Sequence, residues 1–79
     1  MLKEKRYVYT AVKQSLHSEE LGEYQSYGIS VTLESREVGF VSDVSTESDS
    51  VERLCALCNE NQLDPEQLPE IVEDFLALT

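Results

Sequence analysis

The hydrophobic period of this chain changes once, near residue 46, from two to about 3.6, and that switch bounds what it can fold into. Before it, apolar residues alternate as they do on a strand with one face on a core. Tyr27, Ile29, Val31 and Leu33 share one face of a segment running Tyr27–Glu34. Lys5–Val12 is rich in β-branched and aromatic residues, and Val38–Val44 supplies a third run of strand character. The polar stretch His17–Glu23 contains Gly22 and reads as a turn or short loop, and Ser35–Glu37 is a hairpin-length link. Three consecutive strands with short links form an antiparallel meander most simply.

After the switch the pattern is helical. Val51, Leu54, Cys55 and Cys58 fall at i, i+3, i+4 and i+7. Asp49 and Glu52 have the spacing of a capping box, and Asn59-Glu60-Asn61 offers a residue for the left-handed stop. Asp64 and Pro65 make a second start signal, with Gln67 completing the box and Leu63 and Leu68 spaced as a staple. Leu68, Ile71, Val72, Phe75 and Leu76 then form a second stripe. Pro69 conflicts with a helix running unbroken from Pro65, because its ring and missing N–H disrupt a helix interior. Residues 65–68 therefore read as a separate tight turn, with the main helix beginning near Pro69. A sheet with one apolar face and two matching stripes give an α+β fold, a three-stranded meander with a two-helix hairpin on one face. At 79 residues this is one small domain over 1–79, strands in 5–45 and helices in 48–78. Phe75 is expected in its core.

Charge follows the same division. The net charge is −10, and beyond residue 46 the only base is Arg53 among nine acids: Glu47, Asp49, Glu52, Glu60, Asp64, Glu66, Glu70, Glu73 and Asp74. Such a chain is a poor ligand for phosphate backbones or anionic membranes, so neither direct nucleic-acid nor membrane binding is expected. No apolar run reaches the roughly 18 residues of a membrane span, and the first residues lack the apolar stretch of a secretory signal. The expected location is cytoplasmic. Glu66, Glu70 and Glu73 lie at i, i+4 and i+7 with Asp74 beside them. Like charges at that spacing destabilise a helix by a few tenths of a kcal/mol per pair. The face is either a solvated surface or a docking site for a basic partner, a protein or the nucleic-acid-binding site of one.

The order of segments carries a resemblance. Tyr27-Gly28-Ile29, Val41-Ser42-Asp43-Val44-Ser45, Val51 and Leu54 leading to Cys58-Asn59, Leu63-x-Pro65-x-x-Leu68, and Ile71-Val72-Glu73-Asp74-Phe75-Leu76 follow in turn. Over roughly residues 7–78 this succession is similar to a family of short uncharacterised proteins from clostridial-type bacteria, a domain of unknown function. The resemblance implies a bacterial cytosolic setting and no activity. Pro69 departs from the family pattern at the start of the last helix.

Several features bear on chemistry. Cys55 and Cys58 form a CxxC, but a redox pair sets its first thiol at a helix N-terminus, and these lie inside the helix on its apolar stripe. Helical residues three apart hold their Cβ atoms about 5–6 Å apart, against about 3.5–4.5 Å in a disulfide. Buried core thiols are the expected reading; the alternative is a zinc-binding or thiol-redox protein, zinc needing two further ligands or a second copy. His17, the single histidine, falls in the loop without a nucleophile to serve. Asp43 and Glu73 or Asp74 could pair as carboxylates, yet at a strand end and on a helix they read as capping or surface groups. The three glycines are too dispersed for a phosphate loop, so no enzyme, no cofactor and no catalytic residue is expected. Tyr7, Tyr9, Tyr24 and Tyr27 all lie in strand-like segments. They either pack across strands or form an aromatic patch, Tyr7 and Tyr9 foremost, for a partner. Val8 and Val12 lie on the opposite strand face from Tyr7 and Tyr9, so apolar surface is left outside the core. A small interaction or regulatory protein follows, with an unidentified protein partner, a basic one included, or a second copy of itself.

Overall fold

The computed structural model describes residues 6–77. Lys5, at the start of the first expected strand, and residue 78, at the end of the last expected helix, lie outside the described residues. The order is β1 (Tyr7–Ser18), β2 (Gly22–Leu33), β3 (Arg36–Ser45), α1 (Ser48–Asn61), a 3-10 turn (Pro65–Gln67) and α2 (Leu68–Ala77). The strands form one open antiparallel sheet in sequence order. Helix α1 lies across β1 and the middle of the sheet, and α2 lies against β3. The α+β meander with helices on one face is therefore the fold.

The core is the layer between. Tyr9, Ile29, Val31 and Val44 from the sheet meet Val51, Leu54, Cys55 and Cys58 from α1 and Leu68 and Val72 from α2, all buried. Phe75 is only partly buried and packs at the margin, so it is a flanking residue, and the buried positions of α2 are Leu68 and Val72. The reason is rotational: Leu68 and Val72 are one turn apart on the buried side of α2, and Phe75 lies off that line.

The strands differ from expectation most at the first hairpin. The turn expected within residues 17–23 is present but shorter than that span: β1 pairs with β2 without interruption from Tyr7↔Leu33 to Ser18↔Gly22. Only Glu19–Leu21 turn, with the Ser18 hydroxyl accepting from the Leu21 N–H at 2.9 Å and Gly22 in the left-handed region at φ 69°. Polar residues on both faces of 13–18 hide this strand from a hydrophobic-period reading. Because β3 pairs with β2 only from Tyr27 onward, the hairpin beyond it is a two-stranded ribbon, and the molecule is elongated, 54 × 26 × 19 Å. The second hairpin is tighter than expected. Leu33 pairs with Arg36, and the two-residue turn Glu34-Ser35 has φ 52° and 68°, the mirror-image turn that matches strand twist.

Helix boundaries shift for local reasons. Helix α1 starts at Ser48 with Glu47 as N-cap and no side-chain cap bond, so the capping box at Asp49 and Glu52 does not form. The left-handed stop falls on Gln62, φ 47°, one residue beyond the expected Asn59-Glu60-Asn61. Its N–H donates to the Asn59 carbonyl at 3.2 Å and that of Leu63 to Cys58 at 3.0 Å, a Schellman closure. Asp64 does cap: its carboxylate accepts from the Glu66 N–H at 2.9 Å. Residues 65–67 form the separate turn, and α2 begins one residue before Pro69, where a proline is tolerated.

Candidate functional site

The most suggestive motif of the chain is its CxxC pair of thiols. Cys55 and Cys58 are free and buried on the sheet-facing side of α1. Burial, with smaller contributions from Cys58 and Glu52, pushes the Cys55 thiol up to about 11, and burial also raises that of Cys58. Both are held as neutral thiols at physiological pH, the opposite of an activated redox cysteine. His17 lies at the far end of the ribbon, paired with Glu23. Among the described residues no group of three or more His, Cys, Asp or Glu is placed to hold a metal ion, and no pocket opens in the surface.

The tyrosines are divided among different tasks. Tyr9 is 2% exposed, so its ring belongs to the core and cannot be part of an exposed aromatic patch. Its hydroxyl donates to the Leu63 carbonyl, and burial pushes it up to about 12. Tyr7 and Tyr27 pack, half-buried, at the edge of the core, and Tyr24 donates to the Asp43 carboxylate at 2.7 Å.

Tyr7 and Tyr9 have a second role through their backbone. The Asn59 side-chain amide accepts from the Tyr9 N–H at 2.7 Å and donates to the Tyr9 carbonyl at 2.9 Å. Gln62 does the same for Tyr7, at 2.9 Å and 2.9 Å. Two side-chain amides thus stand where the peptide groups of a neighbouring strand would be, and they close this part of the sheet edge. A glycine at position 62 would suit the left-handed stop better, but it would lack the amide that reaches Tyr7. Sequence reading misses this pair because the partners are 50 and 55 residues apart.

On the face turned away from the helices, a second polar group forms around Gly28. A Cβ there would lie 2.6 Å from the Val41 carbonyl oxygen and 2.8 Å from Gln14 Oε1, so only glycine fits. Gln14 crosses above it, accepting from the Asp43 N–H at 2.8 Å and donating to the Ser42 hydroxyl at 3.0 Å. The register of β3 slips between Tyr27 and Ile29, and the bulge puts Asp43 at φ 54°. The hydroxyl of Ser26, fully buried, donates to the Asp43 carboxylate at 2.5 Å and lies 3.1 Å from the Ser45 carbonyl. These bonds, Ser26 first and then Tyr24, hold the Asp43 carboxyl below the usual carboxylate range. Asp43 is therefore engaged by hydroxyls on one side of the sheet, while Glu73 and Asp74 belong to α2 on the other, and no carboxylate pair forms. The isolated glycine in a strand pattern was the available signal for this close approach.

Two side-chain patches among the described residues are open to a partner. Val8, Val38 and Phe40, 45%, 48% and 44% exposed, lie on the helix-free side of the sheet, with half-buried Val12 beside them. Glu66, Glu70, Glu73 and Asp74 are all exposed on the helical side. No helix among the described residues is long and apolar enough to cross a membrane. Comparison with curated proteins and with solved structures returned no match. One family does match, over residues 2–78, and the chain belongs to it: a family of unknown function, DUF6514.

Proposed function

We propose that this protein is a small non-catalytic interaction module of the cytoplasm that docks a protein partner on the open face of its sheet. The observation that carries the reading is the asymmetry of the sheet. One face is sealed by two helices, and the other leaves Val8, Val38 and Phe40 each more than two-fifths exposed. Apolar side chains gathered on one flat surface mark contact sites more often than solvent-facing ones. The exposed acids Glu66, Glu70, Glu73 and Asp74 add an electrostatic component that favours a basic partner, acting mainly on encounter rate and salt dependence. Two free, buried thiols suit a reducing compartment.

The test is capture from a native lysate of the source cells by three immobilised forms. They are the parent, the variant Val8→Ser/Phe40→Ser, and the variant Glu66→Gln/Glu70→Gln/Glu73→Gln/Asp74→Asn. A protein held by the parent and released by the sheet-face variant, with an unchanged circular dichroism spectrum, supports the reading. Release by the second variant and by high salt marks that partner as basic. Equal capture by the parent and the sheet-face variant sinks it.

A further inference from the structure

Among the described residues, the edge of β1 is closed by side-chain amides only at Tyr7 and Tyr9. Both the N–H and the carbonyl of those residues point away from β2, toward Gln62 and Asn59. The β1–β2 register is unbroken to Ser18. Strand alternation therefore turns the N–H and carbonyl of Ala11, Lys13, Ser15 and His17 to the same outer edge. Among the described residues none of these groups is hydrogen-bonded there. Half of this free edge, Ser15 and His17, belongs to the two-stranded ribbon, and a two-stranded ribbon alone is marginally stable in water. A chain that shields one end of an edge with two side-chain amides and leaves the other end bare offers a place for an extended backbone.

We propose that the free edge of β1 pairs antiparallel with the same edge of a second copy, about a twofold axis at Gln14, joining two sheets into one of six strands. The edge is self-complementary in that register. Ala11 faces His17 of the second copy and Lys13 faces Ser15 of the second copy, and the four such pairs exchange about eight main-chain hydrogen bonds. On the helix-free side, Val12 meets Leu16 of the second copy twice, in the non-hydrogen-bonded positions where side chains approach most closely. No like charges oppose one another, and no carboxylate lies between Ala11 and His17 in a chain of net charge −10. Shifting the axis toward the N-terminus would run the second strand into the Asn59 and Gln62 amides. This interface uses the sheet edge and stands independently of any partner on the open face.

The test is sedimentation equilibrium of the full chain across concentration, at about 0.15 M salt and again at higher salt to screen the repulsion between two acidic copies. The expected result is a reversible dimer that tightens with salt. Ser15→Lys puts Lys13 opposite a like charge at both symmetric positions and is expected to weaken dimerisation about 2- to 30-fold. Adding Lys13→Glu to Ser15→Lys makes those positions opposite in charge and is expected to restore it, with monomer stability tracked by urea unfolding. The inference is overturned by a chain that stays monomeric up to about 1 mM. It is equally overturned by a dimer indifferent to Ser15→Lys, or by one that the second change does not restore, since either means another surface or register.

Discussion

Asn59 offers the sharpest test of how the sheet edge is held. Its amide makes two hydrogen bonds to the backbone of Tyr9, 2.7 Å and 2.9 Å, and Tyr9 is 2% exposed. Each such bond contributes about 1 kcal/mol net, and a donor or acceptor left short of a partner costs a further part of its desolvation. Asn59→Ala should therefore destabilise the protein by about 2–3 kcal/mol. For a chain of this size that is a large share of about 4–12 kcal/mol and a fall in Tm of about 10–20 °C. Asn59→Asp separates hydrogen bonding from packing. It keeps the acceptor for the Tyr9 N–H but turns a carboxylate oxygen on the Tyr9 carbonyl. The protonated form is the one that fits, so the folded pKa of the new carboxyl lies above its unfolded value of about 3.9. Its extra deficit relative to the parent is full above the folded pKa and disappears as the pH falls toward the unfolded one. Urea unfolding followed by circular dichroism, with m unchanged, measures both variants. An Asn59→Ala stability within about 0.5 kcal/mol of the parent, inside the range of ordinary surface substitutions, would refute the clamp. So would an Asn59→Asp deficit that does not shrink in acid.

Three further outcomes follow from the geometry. Gly28→Ala forces a Cβ to 2.6 Å from the Val41 carbonyl oxygen and should destabilise by about 1–3 kcal/mol; thermal melting checks it, and an unchanged Tm removes the close approach. Cys55 and Cys58, buried with raised pKa values, should react slowly with iodoacetamide in the native protein and rapidly in urea; fast native alkylation would place them outside the core. The carboxyl of Asp43 is lowered by Ser26 and Tyr24, so its contribution to stability is present above the unfolded pKa and is lost as the pH falls through the folded one. Tyr24→Phe should move the Asp43 titration midpoint upward by carboxyl NMR, and an unmoved midpoint contradicts the hydroxyl's role.

The part of this structure legible in the sequence was what local pattern dictates. The change of hydrophobic period near residue 46 determined a meander followed by two helices, and Asp64-Pro65 with Pro69 determined the separate turn before α2. The stripe through Val51, Leu54, Cys55 and Cys58 placed both thiols in the core, where they are found. Tertiary structure alone decided the rest. The strand character of residues 13–18 comes from pairing with 22–27, because polar residues on both faces leave no periodic trace. The closure of the β1 edge by Asn59 and Gln62, and the bridge of Gln14 over Gly28 to the Asp43 bulge, join groups that are 28 to 55 residues apart. Such contacts are selected by the geometry of packed elements, and no neighbouring residue announces them. The acids of α2 were visible from the start, but that they share one side of the molecule while Val8, Val38 and Phe40 share the other follows only from which face of the sheet the helices cover.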